Sequence, residues 1–420
     1  MVLPMISNKE SQTTPLGDSY LLIFNAVLGG IGGFSFWIIA SWYFLPSEVG
    51  LVTTIISISV FLSTLAEFGL GDSLKTYIPS SKNEDLHRLL DSSFSIVFLT
   101  SAILLSVFSL LIASGAYLSE MDDSFLIALL VIVGGVVKSC YPLATSSLVS
   151  LLKVRPVVLS TLILHAFGIC VLLIFGKELG PWNALGLLSM WVASLVASLI
   201  VLILSLSRSV RGGYRPKFNF DLEDLSRIKS LSLANLLLTI RMPVILAISS
   251  AFILDEWGPR RAAEFYFLWR ASELAMMIPT SFSIASLVHR GHGRIIKSIS
   301  GLLPLVISSL SSLFVLIGLL ILLPMFDGLF EDIQFLSILP WSLVVIPTHV
   351  LMMNVSDWRF NEQSNLINIT SLGTLGIFLI SLLAIAEEPS QIGWFWFLSV
   401  SLIGFSGLAF RKLYKPTHLT

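Results

Sequence analysis

Five ionisable side chains lie inside long apolar stretches: Glu67, Lys138, Arg241, Arg270 and Glu273. A charge at mid-bilayer costs about 2.5–3.5 kcal/mol on the insertion scale, so each should face a cavity, a partner or water. Helical spacing sets each on a polar stripe or beside another polar group. Lys138 has Gly134, Tyr141 and Thr145 at i−4, i+3 and i+7; Arg270 shares a face with Glu273, Met277 and Ser281; Ser63 lines up with Glu67. Arg270 and Glu273 are spaced to neutralise each other, Glu67 is near enough to a helix end to reach water or Lys75, and Lys138 has Glu67 or Glu273 as alternative partners. Arg241 has no acid in its own stretch; Asn235 precedes it by one and a half turns, and Pro243 is expected to loosen the helix beside it. With three cations against two carboxylates, the centre keeps Lys138 and Arg241 in excess. That suits an anionic group such as phosphate or pyrophosphate, which Arg grips bidentately and Lys meets as a point charge. A cation exporter would instead concentrate Asp and Glu there. His165 and His349 read as helix-packing residues, and Asn25 with Gly29 and Gly32 as a close-packing face that also borders the cavity.

The elements that must position these groups are membrane spans. The chain has 420 residues, 55% apolar and only 12% charged, with net charge −1. Soluble domains carry about 25% charged residues, so a soluble enzyme, a disulfide scaffold and a disordered chain are all excluded, and nothing in the charge draws nucleic acid. A crossing helix needs about 20 apolar residues. Twelve stretches qualify: 20–44, 49–70, 89–113, 125–148, 157–175, 184–206, 231–254, 263–287, 299–323, 335–353, 366–386 and 393–408. With both termini cytoplasmic, nineteen of the 25 Lys and Arg fall in inside segments and three (Lys177, Arg260 and Arg261) outside, which orients the protein in the cell membrane.

The longest hydrophilic interval, 207–230, separates a six-span half (1–206) from a second (231–420). It is basic and then amphipathic, and reads either as a helix lying on the membrane surface or as a solvated linker. Asn25 in span one and Asn235 in span seven sit at similar depth, which suggests related halves around a central cavity that both asparagines, with Tyr141, are expected to line. No phosphate loop of the Walker type and no metal-ligand spacing occurs, so neither ATP hydrolysis nor a metal or other cofactor is expected.

Two stretches carry a resemblance. One is FWIIASWYFLPSEVGLVTTIISISVFLSTLAEFGLGDSLKTYIPS, with Pro46, Glu48, Val49 and Gly50 after span one and Glu67-Phe68-Gly69-Leu70-Gly71 at the end of span two. The other is LSLANLLLTIRMPVILAISS followed by AAEFYFLWRASELAMMIPTSFSIASLVHR. Together they resemble the polysaccharide, or O-antigen, flippases of the multidrug/oligosaccharidyl-lipid/polysaccharide exporter superfamily. The resemblance implies an all-α polytopic fold of two six-helix lobes around a cationic cavity. It also implies movement of a polyprenyl-linked oligosaccharide from the inner to the outer leaflet, beside other glycan-assembly proteins. Basic residues on spans seven and eight would hold the headgroup, and Arg241 and Arg270 stand there; Lys138 has a similar cavity position. The chain lacks the span-one arginine that some relatives have.

Two rivals remain open. A drug or metabolite exporter of the same superfamily, coupled to H+ or Na+, would use Glu67 and Glu273. A membrane enzyme of polysaccharide assembly would need a long outside loop, and no outside interval is long enough.

Overall fold

The computed structural model describes residues 15–81, 83–114, 124–179, 183–210, 213–291, parts of 306–318, 335–360, 364–385 and 391–413. Among the described residues there is no strand. The order is α1 (Pro15–Ala40), α2 (Pro46–Glu67), α3 (Leu70–Tyr77), a 3-10 turn (Ile78–Ser80), α4 (Asn83–Ala113), α5 (Ser124–Ser150), α6 (Val154–Leu179), α7 (Asn183–Ser209), α8 (Leu222–Gly291), α9 (Phe335–Leu343), α10 (Val345–Phe360), α11 (Ser364–Ile385) and α12 (Gln391–Leu413). Nine described helices are long and apolar enough to cross a membrane, and Gln391–Ser406 is a shorter apolar one. This is a multi-pass, all-helical membrane protein. The ninth expected span, 299–323, falls mostly outside the described residues. The tenth is divided between α9 and α10 at Val344, with Pro340 inside α9.

The apolar part of α8, Leu231–Met277, would reach about 70 Å if straight, over twice a bilayer core. It is broken at Gly258, whose φ of 81° favours glycine, and Pro259 opens the second arm where a missing N–H costs nothing. Spans seven and eight are therefore joined by a helical corner, with no extended outside loop. Glu264 holds Arg261 at 2.7 Å and Arg260 at 3.7 Å across its first turn. Pro243, expected to loosen the first arm, does not interrupt it.

The two arms run in opposite directions, as their neighbours show. Gly69 abuts Ser232 and Asn235, Ser57 meets Ser250 at 3.4 Å, and Gly50 abuts Pro259; α2 thus lies antiparallel to the first arm. Gly30 abuts Leu274, and Trp37 meets Tyr266 edge-on at 5.2 Å, so α1 lies antiparallel to the second arm. Asn25 and Asn235 are 210 positions apart. Shifting the 57–250 contact by that offset and exchanging halves maps it to 267–40, next to the observed Trp37–Tyr266 pair. Each arm of α8 thus has one antiparallel partner from the start of the chain, α2 on the first arm and α1 on the second. Lipid tails are as apolar as Leu, so such contacts rest on close packing by small residues, and glycines occupy these crossings.

Between α7 and α8, residues 214–221 run without helix or strand. Residues 213–221 lie along α4: the Lys217 N–H donates to Asp91 Oδ1 (2.9 Å), the Asn219 N–H to Ser95 Oγ (3.0 Å) and the Asp221 N–H to Ser92 Oγ (2.9 Å). Tyr214 is wholly buried, edge-on to His87; burial and the Asp91 carboxylate push its phenol above the ordinary range. Residues 222–230 continue into α8 and form no separate surface helix, although their side chains, apart from Lys229, lie outside the described set. Asp91→Ala strips Lys217 of its acceptor, at a cost of about 1–3 kcal/mol. We expect trypsin to cut after Lys217 roughly tenfold faster or more in that variant, with α-helical content unchanged.

Candidate functional site

A cavity of about 560 Å³ lies between α1, α5, α6, α7 and the second arm of α8, with single residues from α2 (Val60), α3 (Lys75) and the first arm of α8 (Met242); it is within the size range of pockets that hold drug-sized ligands. Its walls are mainly apolar, with polar groups at a few points. The 3.6-residue period of α5 brings Lys138, Tyr141 and Thr145 to the cavity on one stripe. Asn25 enters from α1, His165 from α6, and Arg270 with Glu273 from α8.

The charges differ in how they are satisfied. Arg270 Nη1 donates to Glu273 Oε2 at 2.5 Å, and Arg270 Nη2 donates to the Tyr266 hydroxyl. Arg270 is thereby neutralised and fixed. Lys75, on α3, is bound to Asp72 at 2.6 Å. Lys138 stands 5.9 Å from the centroid of the Tyr141 ring, and no described carboxylate lies within ion-pair reach of it. Tyr141 is itself tied to Ser160 (3.3 Å) and through it to Ser198 (2.6 Å), so α5, α6 and α7 hold the ring that Lys138 lies against. The cavity therefore contains one cation that forms no direct ion pair among the described residues, with the Glu273 and Glu67 carboxylates acting on it only from beyond contact distance.

Two residues that bear on the site were not recognised as such in the sequence. Lys75 lines the cavity, although the sequence marked it only as an orienting charge and a candidate partner of Glu67. His165 lines it too, while its ring packs so closely on α1 that a Cβ at Gly32 would stand 2.4 Å from His165 Cγ.

Three residues read as site candidates lie elsewhere. Glu67 is buried and its Oε1 accepts the Gly71 N–H at 2.7 Å, across the corner between α2 and α3. Asn235 donates to Ser73 Oγ at 3.1 Å where α3 meets the first arm of α8. Arg241, 1% exposed, sits in the second half with its guanidinium carbon 5.8 Å from the Trp396 ring centroid. None of the three lines the cavity. Depth and spacing identify charges that must be satisfied; they do not distinguish a shared cavity from a packing interface.

No family model and no curated protein matches the chain. Solved structures do. A MOP-superfamily transporter from Pyrococcus furiosus, described as having a binding pocket of reversed polarity that suggests a different function, superposes with TM-score 0.70 at 13% identity over 97% of this chain and 98% of that one. An outward-facing multidrug-resistance MATE transporter of the same superfamily gives 0.67 at 15% identity over 97% and 98%, and a MATE P26A mutant gives 0.67 at 12% over 96% of each. At these identities the likeness concerns architecture. The chain has the fold of the MATE transporters of the MOP superfamily.

Proposed function

We propose that the protein is a carrier, not an enzyme, that moves an anionic, lipid-linked oligosaccharide from the inner to the outer leaflet by alternating opening of the cavity between two six-helix lobes. The observation that carries this reading is Lys138, a cation with no direct ion pair among the described residues, in a cavity whose other described cations are each bound to a carboxylate. A phosphate or pyrophosphate supplies the missing ion pair, and the apolar walls suit an amphiphile whose tail remains in lipid. Phosphates and sugars cannot cross hydrocarbon unaided. A two-lobed fold that opens to one side at a time gives them a polar path.

The test is leaflet translocation of a fluorescent polyprenyl-pyrophosphate oligosaccharide in proteoliposomes. Translocation above protein-free vesicles supports the reading; none refutes it. A second reading, an H+- or Na+-coupled drug or metabolite exporter, draws on the multidrug-resistance transporter among the structural neighbours and on Glu273 in the cavity. Uptake of a cationic dye under an ion gradient, without lipid translocation, selects it.

Glu273→Gln separates the two readings further. It removes the charge that neutralises Arg270 and leaves the cavity one unit more positive. For an anionic substrate we expect transport within a few-fold of wild type and tighter headgroup binding. Complete loss with normal insertion means that the carboxylate carries a coupling ion.

A further inference from the structure

Arg241 is the largest unexplained charge in the molecule. It is 1% exposed, and neither Nε nor Nη1 has a hydrogen-bond partner. No described carboxylate forms an ion pair with it. Around it is a cluster of large aromatic side chains at the centre of the second half. Arg241 lies over Trp396; the Trp396 and Trp269 rings are 6.0 Å apart, and Trp269 meets Trp341 at 5.9 Å. The indole N–H groups of Trp269 and Trp396 are also buried without acceptors. These elements come from both arms of α8, from α9 and from α12, so the cluster is built by the tertiary fold and not by one helix.

The chemistry of the unmet groups is one-sided. A guanidinium and an indole N–H are donors only. A π-face offsets part of the cation's desolvation but cannot accept the N–H bonds that point past it. Three buried side chains whose donors are unmet, one of them a guanidinium lying over the aromatic cluster, call for an acceptor that carries negative charge.

We propose that a small inorganic anion of halide size is held here by Arg241 and the indole N–H groups of Trp269 and Trp396. It neutralises the buried guanidinium and ties the two arms of α8 to α12. The site is separate from the Lys138 cavity, which none of these three residues lines. The enclosed position disfavours a bulky lipid headgroup.

The purified full-length protein in a neutral detergent is tested by thermal unfolding in sodium chloride and in sodium gluconate at equal ionic strength. Chloride is expected to raise the midpoint by roughly 2–4 °C, saturably. Arg241→Met, which removes the cation and retains an apolar stem, is expected to unfold at the same temperature in both salts. Trp396→Phe retains the ring, loses one donor and is expected to need several-fold more chloride for half its effect; it serves if Arg241→Met does not fold. Equal midpoints for the wild type in the two salts overturn the proposal. So does a chloride effect that survives intact in Arg241→Met, or stabilisation of the wild type by phosphatidylglycerol but not by chloride. Lipid translocation enters none of these readouts, so failure here leaves the transport reading untouched.

Discussion

Lys138→Ala should insert normally and lose translocation of a pyrophosphate-linked substrate by about 100-fold or more. A charge-assisted bond to phosphate contributes about 1.5–3 kcal/mol, and a water-poor cavity strengthens it. Every 1.4 kcal/mol is a factor of ten, so loss of the bond alone accounts for roughly 10- to 100-fold, and enclosure takes the effect to the upper end. Folding should not suffer, because Lys138 has no ion pair among the described residues to break; its removal relieves a desolvated charge. Lys138→Arg is the informative companion. It retains the charge but spreads it over a planar fork, and the Tyr141 ring, held by Ser160, limits where that fork can lie. Partial rescue is expected. Wild-type rates for Lys138→Ala, measured as leaflet translocation in proteoliposomes, would refute the cationic-site reading.

The contrast between Lys138 and Arg241 shows how far sequence reasoning reaches. Both are deep cations flanked by polar residues, and nothing in either stretch separates them. The fold does, because α5 turns Lys138 to the cavity and the first arm of α8 turns Arg241 toward Trp396, a residue 155 positions later in the chain. Partners on distant helices have no signature in local spacing. Elements were more legible than partners: the first six expected spans match described helices to within a few residues, because apolar length is a direct requirement of the bilayer. The hairpin in α8 was less legible. Its corner contains Asp255, Glu256, Arg260 and Arg261, which read as a loop, whereas Gly258 alone makes the turn and the charges stay helical. The strap at 213–221 was hidden for another reason. Its backbone donors are satisfied by Asp91, Ser92 and Ser95, more than 120 positions earlier.

Gly69→Ala is expected to cost at least about 2–4 kcal/mol and to abolish transport with it. Two terms add. Gly69 has φ of 69°, left-handed for an L residue, which costs a β-carbon about 1–2 kcal/mol. That carbon would also stand 2.3 Å from the Leu236 nitrogen and 2.4 Å from the Ser232 carbonyl oxygen, both backbone atoms that no rotamer change can move. The corner is further tied by Ser232 Oγ donating to the Phe68 carbonyl and by Glu67 accepting the Gly71 N–H. The Glu-Phe-Gly-Leu-Gly run thus fastens the end of α2 to the first arm of α8, and its glycines are there so that two backbones can meet. At the other end of the same pair, a carbon on Gly50 would fall 1.8 Å from the Pro259 carbonyl oxygen. Gly50→Ala should therefore be as damaging as Gly69→Ala although no positive φ is involved, whereas Gly376→Ala in α11, with open space around it, should stabilise the helix slightly. Thermal unfolding of the three variants in detergent decides it. A Gly69→Ala midpoint within a degree of wild type would mean that the halves do not meet backbone to backbone at this corner.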